Sequence, residues 1–268
     1  MIREARREDY PSYTTLFREL QIDDPIPSAE RWASELARDT LISERDGKVA
    51  GYVTFLVLSE AGHVRNLVVA PDHRGAGIGR ELMHATAEAL RARGIDEWHL
   101  NVKVDNAPAI RLYEGLGMEI EHRSTVLRVP VARCSELPRD RATILPIDPA
   151  EDDDIERALG LLAGRIAMMR KKPGRVLVQL RDSTCAPVGF AAFDPSLPGA
   201  MPFRVARPAL AGTLLTALAP HTTAAQIQVV IDNDARTTEL LTGIGAETKL
   251  ELLHYRGSLG DVAPATAS

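Results

Sequence analysis

Val64-Arg65-Asn66-Leu67-Val68-Val69-Ala70-Pro71-Asp72-His73-Arg74-Gly75-Ala76-Gly77-Ile78-Gly79-Arg80 is the stretch that decides the fold. Val64 to Ala70 is apolar and β-branched, which predicts a partly buried strand, and Pro71 ends it. By simple alternation, His63, Arg65, Leu67 and Val69 share one face of that strand and Val64, Asn66 and Val68 the other. Gly75, Gly77 and Gly79 then stand at alternate positions, where a backbone can turn tightly and approach a ligand closely. From Ile78 the apolar residues Ile78, Leu82, Ala85 and Ala89 recur at helical spacing, so a helix is expected to about Arg93, with Gly94 as its stop. A glycine turn feeding a helix presents free N–H groups and the positive end of the helix dipole. It is therefore an anion site, and phosphate is the usual guest.

Two nucleotide-binding patterns fit this turn poorly. A P-loop needs Lys-Ser/Thr after its last glycine, and Arg80-Glu81 follow here. A dinucleotide fold needs an acidic residue at the end of the next strand, about 20 residues on. Asp96 and Glu97 precede that strand, and Asp105 lies too far along it. A dinucleotide-dependent oxidoreductase is thus a remote alternative.

A second motif lies downstream. Asp96 to Val104 predicts a strand, with Trp98, Leu100, Val102 and Val104 on one face and His99 and Asn101 on the other. Asp105-Asn106-Ala107-Pro108-Ala109-Ile110-Arg111-Leu112-Tyr113-Glu114-Gly115-Leu116-Gly117-Met118 then opens a helix near Asn106, tolerates Pro108 in its first turn and closes at its glycines.

Together the two stretches resemble the GNAT superfamily of acetyl-CoA-dependent N-acetyltransferases. Its central motif, Arg/Gln-x-x-Gly-x-Gly/Ala after a Val-x-Pro strand end, is matched by Val69-Ala-Pro71 and Arg74-x-x-Gly77-x-Gly79. Its second motif, Asn-x-x-Ala-x-x-Leu-Tyr-x-x-x-Gly-Phe, is matched by Asn106, Ala109, Leu112, Tyr113 and Gly117, with Met118 replacing the aromatic. The resemblance implies an α+β fold with a mixed central sheet that splays in its middle. Acetyl-CoA is the implied cosubstrate, with no metal. Its pyrophosphate would lie on Arg74, Gly75, Ala76, Gly77, Ile78, Gly79 and Arg80, and its pantetheine arm against the backbone of Leu67 and Val69. The N–H of Val68 is the expected polariser of the thioester carbonyl, with Asn106 and Ala109 nearby. Tyr113 is the implied general acid for the departing thiolate; a phenol of pKa about 10 is close enough to a thiol of about 8.5 for the transfer.

Many members carry a glutamate where Arg65 stands. An arginine facing the acceptor would favour a carboxylate- or phosphate-bearing amine; a structural ion pair is the competing reading. His63 and His99 are candidate bases, though a lone histidine is more often a structural one. The loop between the first two helices lines the acceptor pocket in the family, which makes Asp23 and Asp24 candidates for meeting a cationic substrate, or else solvated loop carboxylates.

Composition excludes several classes. With 45% hydrophobic and 26% charged residues and a net charge of −5, the chain has no basic footprint for nucleic acid. No apolar run reaches membrane-spanning length and the N-terminus lacks a signal-peptide core, so a cytoplasmic protein, monomer or homodimer, is expected. Cys134 and Cys185 have no metal-ligand spacing and read as reduced thiols.

Before the core motif, residues 2 to 6 predict a strand and Glu8 to Leu20 a helix. Ser28 is the expected cap of a second helix, and residues 40 to 57 form a hairpin folded at Asp46-Gly47. After it, the pattern repeats. Asp152 to Met169 predicts a helix, Arg175 to Phe193 a hairpin, and Ile227 to Gly245 mirrors Leu100 to Gly117, with Asp234 against Asn106 and Leu241 against Tyr113. Met201 to Gly212, where the pyrophosphate turn should be, has no alternating glycines. The expected organisation is therefore a catalytic GNAT domain over 1–130, a linker over 131–145, a degenerate GNAT-like domain over 146–257 and a flexible tail over 258–268. The expected function is transfer of an acetyl group to a small-molecule amine. A non-catalytic acyl-CoA-binding sensor or partner module is the alternative, and a mycothiol-synthase-like acetyltransferase a more remote one.

Overall fold

The computed structural model describes residues 1–22, 25–58 and 60–262 of the 268-residue chain. Two compact units emerge: Met1–Glu121 with His254–Ser268, and His122–Leu253. The boundary therefore departs from the contiguous division expected from the sequence. The last strand of the chain ends in the first unit, and residues 122–130 fall in the second. A linear reading of repeats cannot register such an exchange, because it depends on which strands pair.

The first unit opens with β1 (Ile2–Glu4), α1 (Tyr10–Phe17), α2 (Ala29–Arg31), β2 (Thr40–Arg45) and β3 (Lys48–Leu58). It continues with β4 (Ala61–Val69), α3 (Ile78–Arg91), β5 (Glu97–Lys103) and α4 (Ala107–Glu114). The strands lie in the order β1-β2-β3-β4-β5, antiparallel except for the parallel pair β4–β5. Asp46 (φ 52°) and Gly47 (φ 72°) fold the β2–β3 hairpin through two left-handed residues, the geometry a two-residue turn requires.

The helix expected over Glu8–Leu20 is α1 flanked by single 3-10 turns at Arg7–Asp9 and Arg18–Leu20. The second begins as expected with the Ser28 hydroxyl accepting from Arg31 N–H at 3.2 Å, then widens into a π turn over Trp32–Leu36. That turn buries Trp32, whose ring stacks on Tyr13 at 4.3 Å, while its indole N–H donates to the Arg6 carbonyl at 3.1 Å. Tyr13, Trp32, Ile42, Tyr52 and Val68 share this core on the α1 side of the sheet.

On the other side lies α3. Its buried stripe is Ile78, Leu82, Met83, Thr86, Ala87 and Leu90, so the positions expected at Ala85 and Ala89 lie on its flank. Gly62 is required here: a Cβ would come within 2.5 Å of Leu90.

The second unit contains most of β6 (Glu119–Pro130), then β7 (Thr143–Leu145), α5 (Asp152–Leu159), α6 (Arg165–Arg170), β8 (Val176–Arg181) and β9 (Pro187–Asp194). β10 (Gly199–Val205), α7 (Leu210–Leu218), β11 (Gln226–Asp232), α8 (Ala235–Gly243) and the start of β12 (Glu247–Ser258) complete it. Its strand order β6-β11-β10-β9-β8-β7 again contains one parallel pair, β10–β11. The single helix expected over Asp152–Met169 is broken between Gly160 and Gly164, both left-handed, and the buried Glu156 carboxylate accepts the amides of Gly164 (2.8 Å) and Ile166 (2.6 Å). The expected linker holds a 3-10 turn over Val131–Glu136 and the strand β7.

The start of the expected tail is ordered. Leu259–Asp261 form a 3-10 turn in the first unit with Leu259 and Val262 buried, and the Arg91 guanidinium donates to both their carbonyls. Among the described residues no helix is long and apolar enough to cross a membrane.

Candidate functional site

The site begins where two parallel strands part. β4 and β5 are paired from Ala61↔Glu97 to Val64↔Leu100 and no further, although β4 runs on to Val69 and β5 to Lys103. The cause is visible on the other side of β4. Opposite Thr54 and Phe55 stand Asn66 and Val64, so Arg65 is one residue too many and forms a β-bulge. The bulge bends β4 away from β5 and opens the expected splay.

It also resets the alternation. Directly paired residues project to the same side, so Val64, which pairs with Phe55, faces opposite to Asn66, which pairs with Thr54. The faces expected by simple alternation are thus corrected. Leu67 and Val69 share the α3 side with Val64, while His63, Asn66 and Val68 face the α1 side. Arg65 is exposed at the closed end of the opening.

Ladder parity determines which backbone groups face the slot. The Ala70 N–H donates to the Ala50 carbonyl at 2.9 Å, continuing the register Val69↔Gly51 and Val68↔Tyr52. Hydrogen-bonded pairs alternate in an antiparallel ladder. Ala70, Val68 and Asn66 therefore direct their N–H and C=O groups to β3, and Val69 and Leu67 direct theirs into the opening. The expectation that Val68 N–H polarises a thioester is corrected on this ground, because that amide belongs to the β3 ladder. The backbone groups of Leu67 and Val69 are on the side of the opening.

The glycine turn closes the far end. Gly75 (φ 81°) and Gly77 (φ 82°) are left-handed, a region costly for residues with a Cβ. The first hydrogen bond of α3 is Glu81 N–H to the Gly77 carbonyl at 3.1 Å, and no side chain caps the helix. The amides of Ile78, Gly79 and Arg80 thus stand outside the helical ladder at the positive end of the dipole. A Cβ on Gly79 would lie 3.3 Å from Leu112 Cδ2 and 3.9 Å from both Leu67 and Val69, so turn, fork and α4 converge at this glycine.

The side chains of the turn have other duties. Ile78 is core, so only its amide can serve a ligand. Arg74 donates to the Val69 carbonyl at 3.1 Å and to Glu19 at 2.9 Å, bracing the loop. Arg80 donates to the Gly115 carbonyl at 3.2 Å, at the C-terminus of α4. Asn106 caps α4 by accepting the Ala109 amide at 3.3 Å.

Tyr113 is 6% exposed, and burial pushes its phenol well above the usual tyrosine range. Its backbone is locked by the helix end: its carbonyl accepts Met118 N–H at 3.1 Å, the Glu114 carbonyl accepts Gly117 N–H at 3.0 Å, and Gly117 is left-handed (φ 78°). This is a Schellman arrangement, in which the residue after the glycine packs on the residue that receives its amide. Met118, the residue after the glycine, is buried.

His99 is buried, with Nε2 2.8 Å from a Glu97 carboxylate oxygen. Glu97 also accepts from Arg256 at 2.6 Å; burial works to raise its pKa, but Arg256 and His99 hold it below the usual carboxylate value. His99 is thereby committed to an ion network. Asp23 and Asp24 lie outside the described residues.

Sequence reasoning missed the contribution of the chain's end. Tyr255, on the part of β12 in the first unit, sets its ring 6.0 Å from that of Tyr113 and donates its hydroxyl to Glu114 at 3.3 Å.

The second unit has the same frame without the slot's chemistry. β10 pairs with β11 only at Gly199↔Gln228 and Ala200↔Val229, and a bulge lies between Ala200 and Phe203. Arg204 on β10 and Asp232 at the end of β11 then form an ion pair across the opening, and Ser124 donates to the same carboxylate at 2.6 Å. Residues 70–77 connect strand to helix in the first unit; here only 206–209 do so. The amides of Leu210 and Ala211 are taken by the carbonyls of Arg207 and Pro208, both at 3.0 Å. Chain from the expected linker lies at the start of α7: Arg207 donates to Asp140 at 2.7 Å, and a Cβ on Gly212 would meet the Pro138 carbonyl at 2.6 Å. α8 ends in the same Schellman pattern as α4, with Leu241 where α4 has Tyr113.

Comparison with known proteins agrees with this geometry. Residues 1–118 match the model of the acetyltransferase (GNAT) family. A mycothiol acetyltransferase of Clavibacter michiganensis is 40% identical over 96 residues, 34% of this chain and 29% of that protein. A streptothricin acetyltransferase of Streptomyces lavendulae is 40% identical over 74 residues, 27% of this chain and 39% of that one. The chain thus matches well under two thirds of the length of these relatives. A tandem GNAT protein from the clavulanic acid biosynthesis pathway superposes with a TM-score of 0.60 at 18% identity, covering 94% of this chain and 95% of its own, which extends the fold likeness across both units. The chain is thus similar to the acetyltransferase (GNAT) family through residues 1–118 and, in fold, to a tandem GNAT protein across both units, while its second unit lacks the glycine turn of the first.

Proposed function

We propose that the first unit transfers an acetyl group from acetyl-CoA to the amine of a small-molecule acceptor. The observation that carries this reading is the opening between β4 and β5, lined by the backbone of Leu67 and Val69 and closed by the uncapped amides of α3. Acetyl-CoA, when bound, supplies an acetyl thioester already reactive toward a free amine. The N–H groups of Gly77, Ile78, Gly79 and Arg80 would hold its pyrophosphate, and Gly75 and Gly77 let the backbone come close. Leu67 and Val69 would pair with the amide-bearing arm as β5 pairs with β4 before the fork. A Leu67 amide donating into the slot stabilises charge on the carbonyl oxygen during attack. Burial keeps the Tyr113 phenol protonated, at the cost of making it a weaker acid; its proton goes to the sulfur as the C–S bond breaks, and the proton that the amine sheds as the C–N bond forms restores the phenol.

Holding the two reactants in line supplies most of the acceleration. Arg65, exposed at the closed end of the fork, favours an acceptor that carries a carboxylate or phosphate besides its amine. The test is thiol release from acetyl-CoA across a panel of amines, anionic and cationic. Acceptor-dependent release with anionic amines preferred is the expected result. Binding of acetyl-CoA with no release for any amine would instead favour an acyl-CoA-binding module, the reading that the arginine at position 65 keeps open.

A further inference from the structure

We infer that Tyr255, encoded after the whole second unit, positions Tyr113 for its role as proton donor, so that catalysis in the first unit is completed by the end of the chain. This rests on the reading of Tyr113 given above.

The backbone of Tyr113 is fixed by the end of α4, but its ring needs a wall. The Tyr255 ring, 6.0 Å away and inclined at 56°, supplies one. That spacing and tilt lie in the range where aromatic edges and faces attract. The Tyr255 hydroxyl reaches Glu114, the residue next to Tyr113, at 3.3 Å, so one side chain touches the acid's ring and the helix end that carries it.

Tyr255 is itself held from both sides. Arg256 pairs with Glu97, and Gly257 lies so close to Trp98 and Met118 that a Cβ there would come within 2.8 Å of the indole nitrogen. Leu259 N–H donates to the Asp96 carbonyl at 2.8 Å, and Arg91 grips the carbonyls beyond. This anchoring fixes where the Tyr255 ring sits, and through it the orientation of Tyr113.

The test is a double-mutant cycle on the full chain: Tyr113→Phe, Tyr255→Leu and both together, with Tyr255→Met and Tyr255→Phe alongside. The readout is thiol release from saturating acetyl-CoA with water as acceptor, which needs no identified amine; water takes the acetyl group as acetate and the sulfur receives the proton. Calorimetric affinity for acetyl-CoA is measured on each variant. Tyr255→Leu and Tyr255→Met are expected to slow turnover by about tenfold, since a small misplacement of a reacting group has large effects. Affinity should stay at the wild-type value, and Tyr255→Phe, which keeps the ring, should restore most of the rate. In the Tyr113→Phe background the Tyr255 substitutions should have almost no further effect, because the group they position is gone. Equal slowing in both backgrounds, or loss of affinity together with rate, would overturn the inference. An unchanged rate in Tyr113→Phe would instead remove the acid itself, an outcome the cycle separates from the first.

Discussion

Val64 and Leu100 are the last residues at which β4 and β5 are paired, and Arg65, the next residue of β4, is the bulge that parts them. The position of the slot is thus set by one extra residue in one strand. From that point Leu67 and Val69 turn their backbone toward the opening, and the glycine turn caps its far end.

Gly77→Ala should weaken acetyl-CoA binding by roughly tenfold. No atom lies within 4 Å of the position a Cβ would take, so the effect is strain: a side chain at φ 82° costs about 1–2 kcal/mol, and relief of that strain misaligns the first amides of α3. Calorimetric affinity of this variant measures it, and wild-type affinity would contradict the turn as the pyrophosphate cradle.

Tyr113→Phe should lower turnover by about a hundredfold, the lower range for loss of a general acid, with the dissociation constant for acetyl-CoA nearly unchanged. The hydroxyl is the only group removed, and the Schellman lock, made by the backbone, persists. Steady-state rates beside calorimetry on the same preparation separate the two effects.

Arg204→Ala should destabilise the protein without altering coenzyme stoichiometry. It leaves the Asp232 carboxylate, with a side-chain exposure of 13%, without its guanidinium, a loss of roughly 1–3 kcal/mol. Chemical denaturation reads the first effect and titration the second. A gain or loss of an acetyl-CoA site in this variant would mean that the second fork binds coenzyme after all.

Stability should fall as the solution is acidified through the carboxylate range, in part through Asp9. The Arg3 guanidinium, donating at 2.8 Å to each of its oxygens, and then the Arg6 amide at 2.7 Å, hold its carboxyl below the usual aspartate value against the opposing effect of burial. A group whose folded pKa is depressed contributes stability above its unfolded pKa, about 3.9, and loses it as pH falls through the folded value. Denaturation midpoints of wild type and Asp9→Asn should therefore differ at neutral pH and converge once the pH has fallen through the folded value. A constant gap between them would show that Asp9 acts by packing alone.

The parts of this fold that were legible in the sequence are local. Gly75 and Gly77 predicted a tight turn, Asn106 and Ser28 predicted caps, and Asp46-Gly47 predicted the hairpin, because each depends on a residue's own backbone freedom or on a partner three positions away. What escaped depends on pairing partners. The flip of faces at Arg65 arises from register against Thr54 and Phe55, which alternation cannot register. With that flip went the assignment of Val68, whose amide is turned to β3 by parity counted from Ala50. Tyr255 escaped for the same reason: more than a hundred residues separate it from Tyr113, and nothing in its surroundings signals the contact. The break of the helix expected over Asp152–Met169 was encoded in Gly160 and Gly164 and outweighed by the apolar periodicity across them.

Calorimetric titration of the intact protein with acetyl-CoA tests the central claim most directly. One open fork and one closed by Arg204 and Asp232 predict a single acetyl-CoA site per chain. Two sites, or none, would contradict it.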